Sequence, residues 1–360
     1  MVKIVIIDGH MHISQWESRD GKSGFDVIRK YQQENGIIAI DNMCCSNNAT
    51  LWDSFEADQN ILGAIAKIEN SSIFTHGCLY IPDNPPKDMK FNVKNQLEEM
   101  MEIGFDGVKI CDFKPDAYKL FNVEEHLEEY DEYIGLCEKY GVHMCWHVAD
   151  PTTFWEEDKV SEYAKKAGWF YGDGKHASYE RLIDLAYVFI DRHPNLNVTL
   201  AHMFFKGKNP DEMISLFKKY PNVTIDFAPG TAMFSDFMLN HEAWSNIFRK
   251  YSDRFLYATD ATLGVTSESM ANEIVEYVQK FLATDEKFTV SYSPVNSRGV
   301  KLEKEHLENI LYKNHQRIVG MAPRKINKPA LKKHISRYLP GIPDSKNKRL
   351  TEEYYRKNLL

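Results

Sequence analysis

Residues 2–12 read VKIVIIDGHMH, and this stretch decides the fold. Apart from Lys3, Val2–Ile7 is a run of apolar, β-branched residues, the composition of a parallel strand buried on both faces. The run ends in His10 and His12. Residues i and i+2 of a strand share a face. Two imidazoles side by side at the mouth of a buried strand are a ready pair of metal ligands. Asp8, two residues earlier, is expected on the same face.

Working outward, seven more short apolar runs follow. They are residues 36–42, 71–81, 106–111, 142–147, 197–202, 222–227 and 254–260. Helical spacing separates most of them, as in the segment 93–103 closed by Gly104 and the acidic segment 123–140 closed by Gly141. Strands alternating with helices argue for parallel βαβ units, and eight of them for a closed barrel. The expected fold is α/β, a single (β/α)8 TIM barrel over residues 1–320. Residues 321–360 form a basic C-terminal extension, with eleven Lys and Arg from Arg324 to Lys357 against Asp344, Glu352 and Glu353.

Composition excludes several classes. The net charge of −8 gives no electrostatic case for nucleic acid. No apolar run is long enough to span a bilayer, and with a first strand expected from Val2 no signal peptide is expected. The six cysteines form no CxxC pair, and most lie in apolar runs, as in a reducing compartment. A cytoplasmic protein acting on a small molecule is expected, with no membrane partner and a homo-oligomer allowed.

Catalytic groups of such barrels gather at the carboxyl ends of the strands. Here those ends carry His10 and His12, then Lys109, His147, His202 and Asp260. A lone histidine ending a strand is usually a hydrogen-bonded core residue. Four histidines and an aspartate at one barrel mouth are a ligand set for zinc, with manganese and iron as alternatives. The other histidines, among them His76, His143 and His315, read as loop or helix residues. A long aromatic excursion, residues 150–179, follows His147. Trp155, Trp169, Tyr171 and His176 in it are candidate substrate contacts, as are Trp16 and Arg19 in the loop after the first strand.

The HMH at residues 10–12, the strand-end His147 and His202, and the TD of YATD resemble the amidohydrolase superfamily. More narrowly they resemble its amidohydrolase-2 branch, which includes aminocarboxymuconate semialdehyde decarboxylase. GFDGVKI at 104–110, HPNLNVTLAHM, YPNVTIDFA and the helix LENILYKNHQRIVG support the resemblance, although that helix usually has alanine where this chain has His315. The resemblance spans roughly residues 4–320. It implies a metal held by His10, His12, His147 and Asp260, with His202 as acid/base or as ligand to a second metal. Other branches carry a carboxylated lysine where Lys109 stands. After Asp260 the branch usually continues with proline, and this chain reads ATLGVTSES.

The expected activity is metal-dependent hydrolysis of a small polar amide, lactone or ester through metal-activated water, with Asp260 taking the water's proton. The alternative is a metal-dependent, non-oxidative decarboxylase. A non-catalytic metal-binding barrel is a third reading.

Overall fold

The computed structural model describes residues 5–18, 20–45, 59–228, 231–263, 266–290 and 293–360. Eight parallel strands follow the expected order. They are β1 (Ile6–Ile13), β2 (Ile37–Met43), β3 (Ile73–Gly77), β4 (Gly107–Phe113), β5 (His143–Val148), β6 (Val198–Leu200), β7 (Val223–Asp226) and an eighth in two pieces, β8 (Phe255–Leu256) and β9 (Ala261–Leu263). The sheet order is β8-β7-β6-β5-β4-β3-β2-β1-β9. Its two ends therefore belong to one segment of chain. β8 pairs with β7, Gly9 N–H donates to Tyr257 O (2.9 Å), Asp260 N–H donates to His10 O (2.8 Å), and β9 pairs with β1. The eighth strand breaks because Asp260 is left-handed, with φ 55°. The barrel is closed through that break.

Two details differ from the sequence reading. Asp8 does not share a face with His10. The β1–β2 register shifts between Asp8 and Met11, and a one-residue bulge reverses the alternation. Asp8 instead accepts from the Tyr31 hydroxyl (2.7 Å), the Thr259 hydroxyl (2.6 Å) and Thr259 N–H (3.1 Å). His76 and His143 are not loop or helix residues. They lie in β3 and β5 and are buried.

They belong to a polar floor inside the barrel. A carboxylate only accepts, so His76 Nδ1–H and His315 Nε2–H both donate to Asp41, at 2.6 and 3.1 Å. His76 Nε2 is then the acceptor for His143 Nδ1–H (2.6 Å), and His143 Nε2 accepts from the Thr199 hydroxyl (2.8 Å). Gly107 in β4 leaves the space, since a Cβ there would lie 2.3 Å from His76 Nε2. His315 enters from the closing helical segment, which carries a π-turn at Asn309–Lys313. Below it Ile7, Ala39 and Phe74 pack with Tyr312 and Val319.

Between β7 and β8 the chain forms two helices, Thr231–Leu239 and His241–Lys250. A hairpin, Lys287–Val290 with Ser293–Arg298, interrupts the approach to the closing helix. The basic extension is ordered on the barrel. Its helix Lys328–Tyr338 buries Leu331 and Ile335 in the main core. Its helix Lys346–Asn358 covers the loop after β1, where Trp16 Nε1–H donates to Thr351 Oγ1 (2.8 Å). Among the described residues no helix is long and apolar enough to cross a membrane.

Candidate metal centre

His10 and His12 both point into the barrel mouth, because the bulge turns His10 inward and His12 follows it by two. Each ring is held from behind. His10 Nδ1–H donates to Asp226 Oδ2 (2.7 Å), and His12 Nδ1–H donates to Met43 O (2.7 Å). Neither acceptor can donate, so each neutral ring turns the lone pair of Nε2 forward. Those two Nε2 atoms lie 3.2 Å apart. Asp260 Oδ1 faces them at 3.2 Å from His12 and 3.6 Å from His10.

His147 and His202 repeat the arrangement. His147 Nε2–H donates to Ala149 O (2.9 Å) with Asp150 Oδ1 at 3.4 Å, and His202 Nδ1–H donates to Ala228 O (3.2 Å). Their front nitrogens, His147 Nδ1 and His202 Nε2, lie 3.1 Å apart. The His202 ring is 5.2 Å from that of His10, centroid to centroid. Burial keeps His10 neutral, well below the usual histidine range, with the Lys109 charge adding to the effect. Burial likewise lowers His147 to about 4. Burial opposes the charged form of Asp260, but when the facing histidines carry protons the His12 hydrogen bond and the fields of His202 and His10 outweigh it and hold Asp260 below the usual carboxylate range.

Front lone pairs facing one another and a carboxylate repel unless a cation or protons lie between them. Donors whose second nitrogen is fixed by a carboxylate or carbonyl are the usual outer support of a metal ligand. On this observation the residues fit a divalent metal. Among the described residues two groups could hold one: His10, His12 and Asp260, and His10, Cys145 and Asp226. His147 is in neither. It is brought to His202, one ring further along the mouth.

Backbone strain collects here. Ala149 (φ 64°), the four consecutive residues His202–Phe205 (φ 50–56°) and Asp260 (φ 55°) are all left-handed without being glycine. Such conformations cost about 1 kcal/mol or more each and cluster where geometry serves function. The His202 turn is tied down by its own N–H, which donates to Asp226 Oδ1 (2.7 Å). Asp226 therefore sets two histidines at once.

Lys109 is buried, with Nζ donating to His10 Nε2 (3.2 Å) and Cys145 Sγ (3.4 Å). A carboxyl group added to Nζ would have to displace one of these contacts. Of the other candidate contacts, Trp16 packs between Phe25 and Tyr354, and Arg19 lies outside the described residues. Trp155 Nε1–H donates to Ala177 O (3.1 Å), and His176 pairs with Asp173 (3.0 Å). Trp169 receives Lys114 Nζ 4.7 Å from its ring centroid. Tyr171 is buried, and its hydroxyl donates to Asp150 Oδ2 (2.7 Å) beside Lys114. The long excursion thus reaches the centre through Asp150, which stands behind His147.

Sequence reasoning missed Asp226, Asp150 and Cys145. Asp226 ends an apolar run at a strand end, as His202 does, and that signal was open to the same logic. Cys145 reads as core in any apolar strand, and only the barrel brings it to His10.

An amidohydrolase family model of the amidohydrolase-2 type matches residues 72–321. No curated protein matches the chain in sequence. Three solved structures are similar in fold. An assigned amidohydrolase from Staphylococcus aureus is 15% identical, with TM-score 0.54, over 88% of this chain and 100% of that one. A TIM-barrel protein from Bordetella bronchiseptica is 13% identical, with TM-score 0.53, over 88% and 98%. The apo form of IDCase from Metarhizium anisopliae is 11% identical, with TM-score 0.51, over 88% and 97%. These likenesses define a TIM barrel. The family match goes further: the chain belongs to the amidohydrolase family.

Proposed function

We propose that this protein is a metal-dependent hydrolase of small polar substrates, cleaving an amide, lactone or ester carbonyl. The carrying observation is the set of four inward imidazoles, each fixed by its back nitrogen, of which His10 and His12 face the Asp260 carboxylate. His10, His12 and Asp260 would hold the metal, with His147 as the next donor along the mouth. Zinc suits these nitrogen and oxygen donors, as do manganese and iron. A cation held there would polarise the substrate carbonyl and acidify water.

The chain's own residues supply the rest. The Asp260 side chain is 39% exposed, so it can take a proton from water and return it to the leaving group. His202 stands 3.1 Å from His147 and can relay that proton. Asp226 keeps His10 in the required tautomer through its ring Nδ1–H and holds the His202 turn through that residue's backbone N–H.

Lys109 favours a second reading. It is a buried ammonium whose hydrogen-bond partners, His10 and Cys145, carry no negative charge as neutral groups. An anionic substrate group would pair with it directly, beside the more remote field of Asp226, and a carboxylate that leaves as CO2 is such a group. In that non-oxidative decarboxylation the electron pair stays on carbon, and His202 or Asp260 delivers the replacing proton.

One experiment separates the readings. Protein purified without chelator is assayed for metal, then screened against lactones, amides and esters, and in parallel against aromatic and dienoic acids with CO2 monitored. Close to one equivalent of metal with turnover of a carbonyl substrate is expected. Activity in metal-free protein would overturn the metal assignment, and CO2 release alone would replace hydrolysis with decarboxylation.

A further inference from the structure

None of the six cysteines is in a disulfide, and four of them, Cys44, Cys78, Cys137 and Cys145, are buried. The two that are not, Cys45 and Cys111, touch each other, Sγ to Sγ at 3.2 Å. They come from different strands. Cys45 lies two residues past the end of β2, and Cys111 lies in β4, two residues beyond Lys109. Both therefore belong to the barrel mouth. Cys45 Sγ is also 3.6 Å from His12 Nδ1, the nitrogen that Met43 O holds.

We propose that Cys45 and Cys111 are a reversible dithiol–disulfide site, oxidised by small-molecule disulfides, and that closing the bond loosens the setting of His12. The first step is attack of the Cys45 sulfur on a disulfide RSSR, which gives Cys45–S–SR and releases one RSH. Cys111 then attacks the Cys45 sulfur, forms the Cys45–Cys111 bond and releases the second RSH. Two protein thiols lose two protons and two electrons, and RSSR gains them. A disulfide needs its sulfurs near 2.05 Å, so they must close by about 1.2 Å. Cys111 lies in β4 between the paired residues Ile110 and Phe113, where the register with β5 shifts, whereas Cys45 is past the last paired residue of β2, so Cys45 is the freer of the two to move. Met43, which carries the carbonyl behind His12, is two residues upstream of it.

The bond itself does not depend on the metal reading; its consequence does. The test treats the full-length, metal-loaded protein with glutathione disulfide under native conditions. Free thiols should fall from six to four, a peptide map should show Cys45 joined to Cys111, and a dithiol reductant should restore all six. Cys111→Ser should stop at a mixed disulfide on Cys45. Metal affinity should fall about 10-fold or more on oxidation, the effect of disturbing a ligand's outer support. Six persistent thiols in the folded protein, or a bond between other cysteines, would overturn the site. A cross-link with unchanged metal affinity would overturn its coupling to His12. A cross-link in a protein that binds metal in neither state would leave the disulfide standing and refute the metal centre instead.

Discussion

Replacing Asp226 with asparagine is the sharpest test of the centre. Asp226 is buried, and burial raises its carboxyl against the opposing fields of His202 and Lys109. One oxygen accepts from His10 Nδ1–H at 2.7 Å, and the other accepts from the N–H groups of His202 (2.7 Å) and Ala228 (3.1 Å). In Asp226→Asn the amide oxygen can keep the two backbone donors. The amide NH2 must then face His10 Nδ1, which has to become the acceptor. The ring proton moves to Nε2, where the metal-directed lone pair was. Loss of such a support typically weakens metal affinity 10- to 100-fold, about 1.4–2.7 kcal/mol. The tautomer change places this variant at or beyond the upper end. Chelator competition on the folded variant measures it, with thermal unfolding as the control for fold. Affinity within threefold of wild type would refute the tautomer argument.

Four further outcomes are expected. His202→Asn should keep metal content while turnover falls ~10²–10⁴-fold, as for a lost acid/base group; elemental analysis beside kinetics checks it, and joint loss would make His202 a ligand. In metal-free protein, His147 is held to about 4 against 6.5 unfolded, so stability present above pH 6.5 should fall by up to about 3 kcal/mol toward pH 4. Asp8 is raised to about 6 from 3.8, so its charging costs about 3 kcal/mol as pH rises through that window, which offsets part of the His147 loss. Urea unfolding of wild type and Asp8→Asn between pH 7.5 and 4 should therefore diverge, with the variant losing more stability on acidification; parallel curves would contradict the assignment. Tyr171→Phe removes a buried hydroxyl bonded to Asp150 and Lys114 and should cost about 1.5–3 kcal/mol with metal content intact. If the excursion also selects substrate, Trp169→Ala raises KM while kcat holds, and unchanged kinetics would make the loop packing alone.

Some corrections trace to one cause. A period-two pattern assumes an unbroken strand, so it put Asp8 beside His10. The β1 bulge sends Asp8 outward to Tyr31 and Thr259 and turns His10 in. The strand expected at 254–260 is similarly interrupted where Asp260 turns left-handed. His76 and His143 read as loop or helix residues because each lacks a partner nearby in sequence. Their partners, Asp41 and Thr199, are 35 and 56 residues away.

What this chain's sequence determines alone is the alternation of apolar strands and helices, hence the barrel, and the chemistry at the strand ends. These are local properties: strand burial demands apolar runs, and a strand's last residue stands at the mouth in any parallel barrel. Tertiary structure decides which nitrogen of each histidine faces the centre. That depends on acceptors remote in sequence: Asp226 behind His10, Met43 O behind His12, Ala228 O behind His202. It also brings Cys111 to Cys45 across the mouth, because closing the barrel sets the ends of β2 and β4 at contact distance, and no spacing along the chain encodes that.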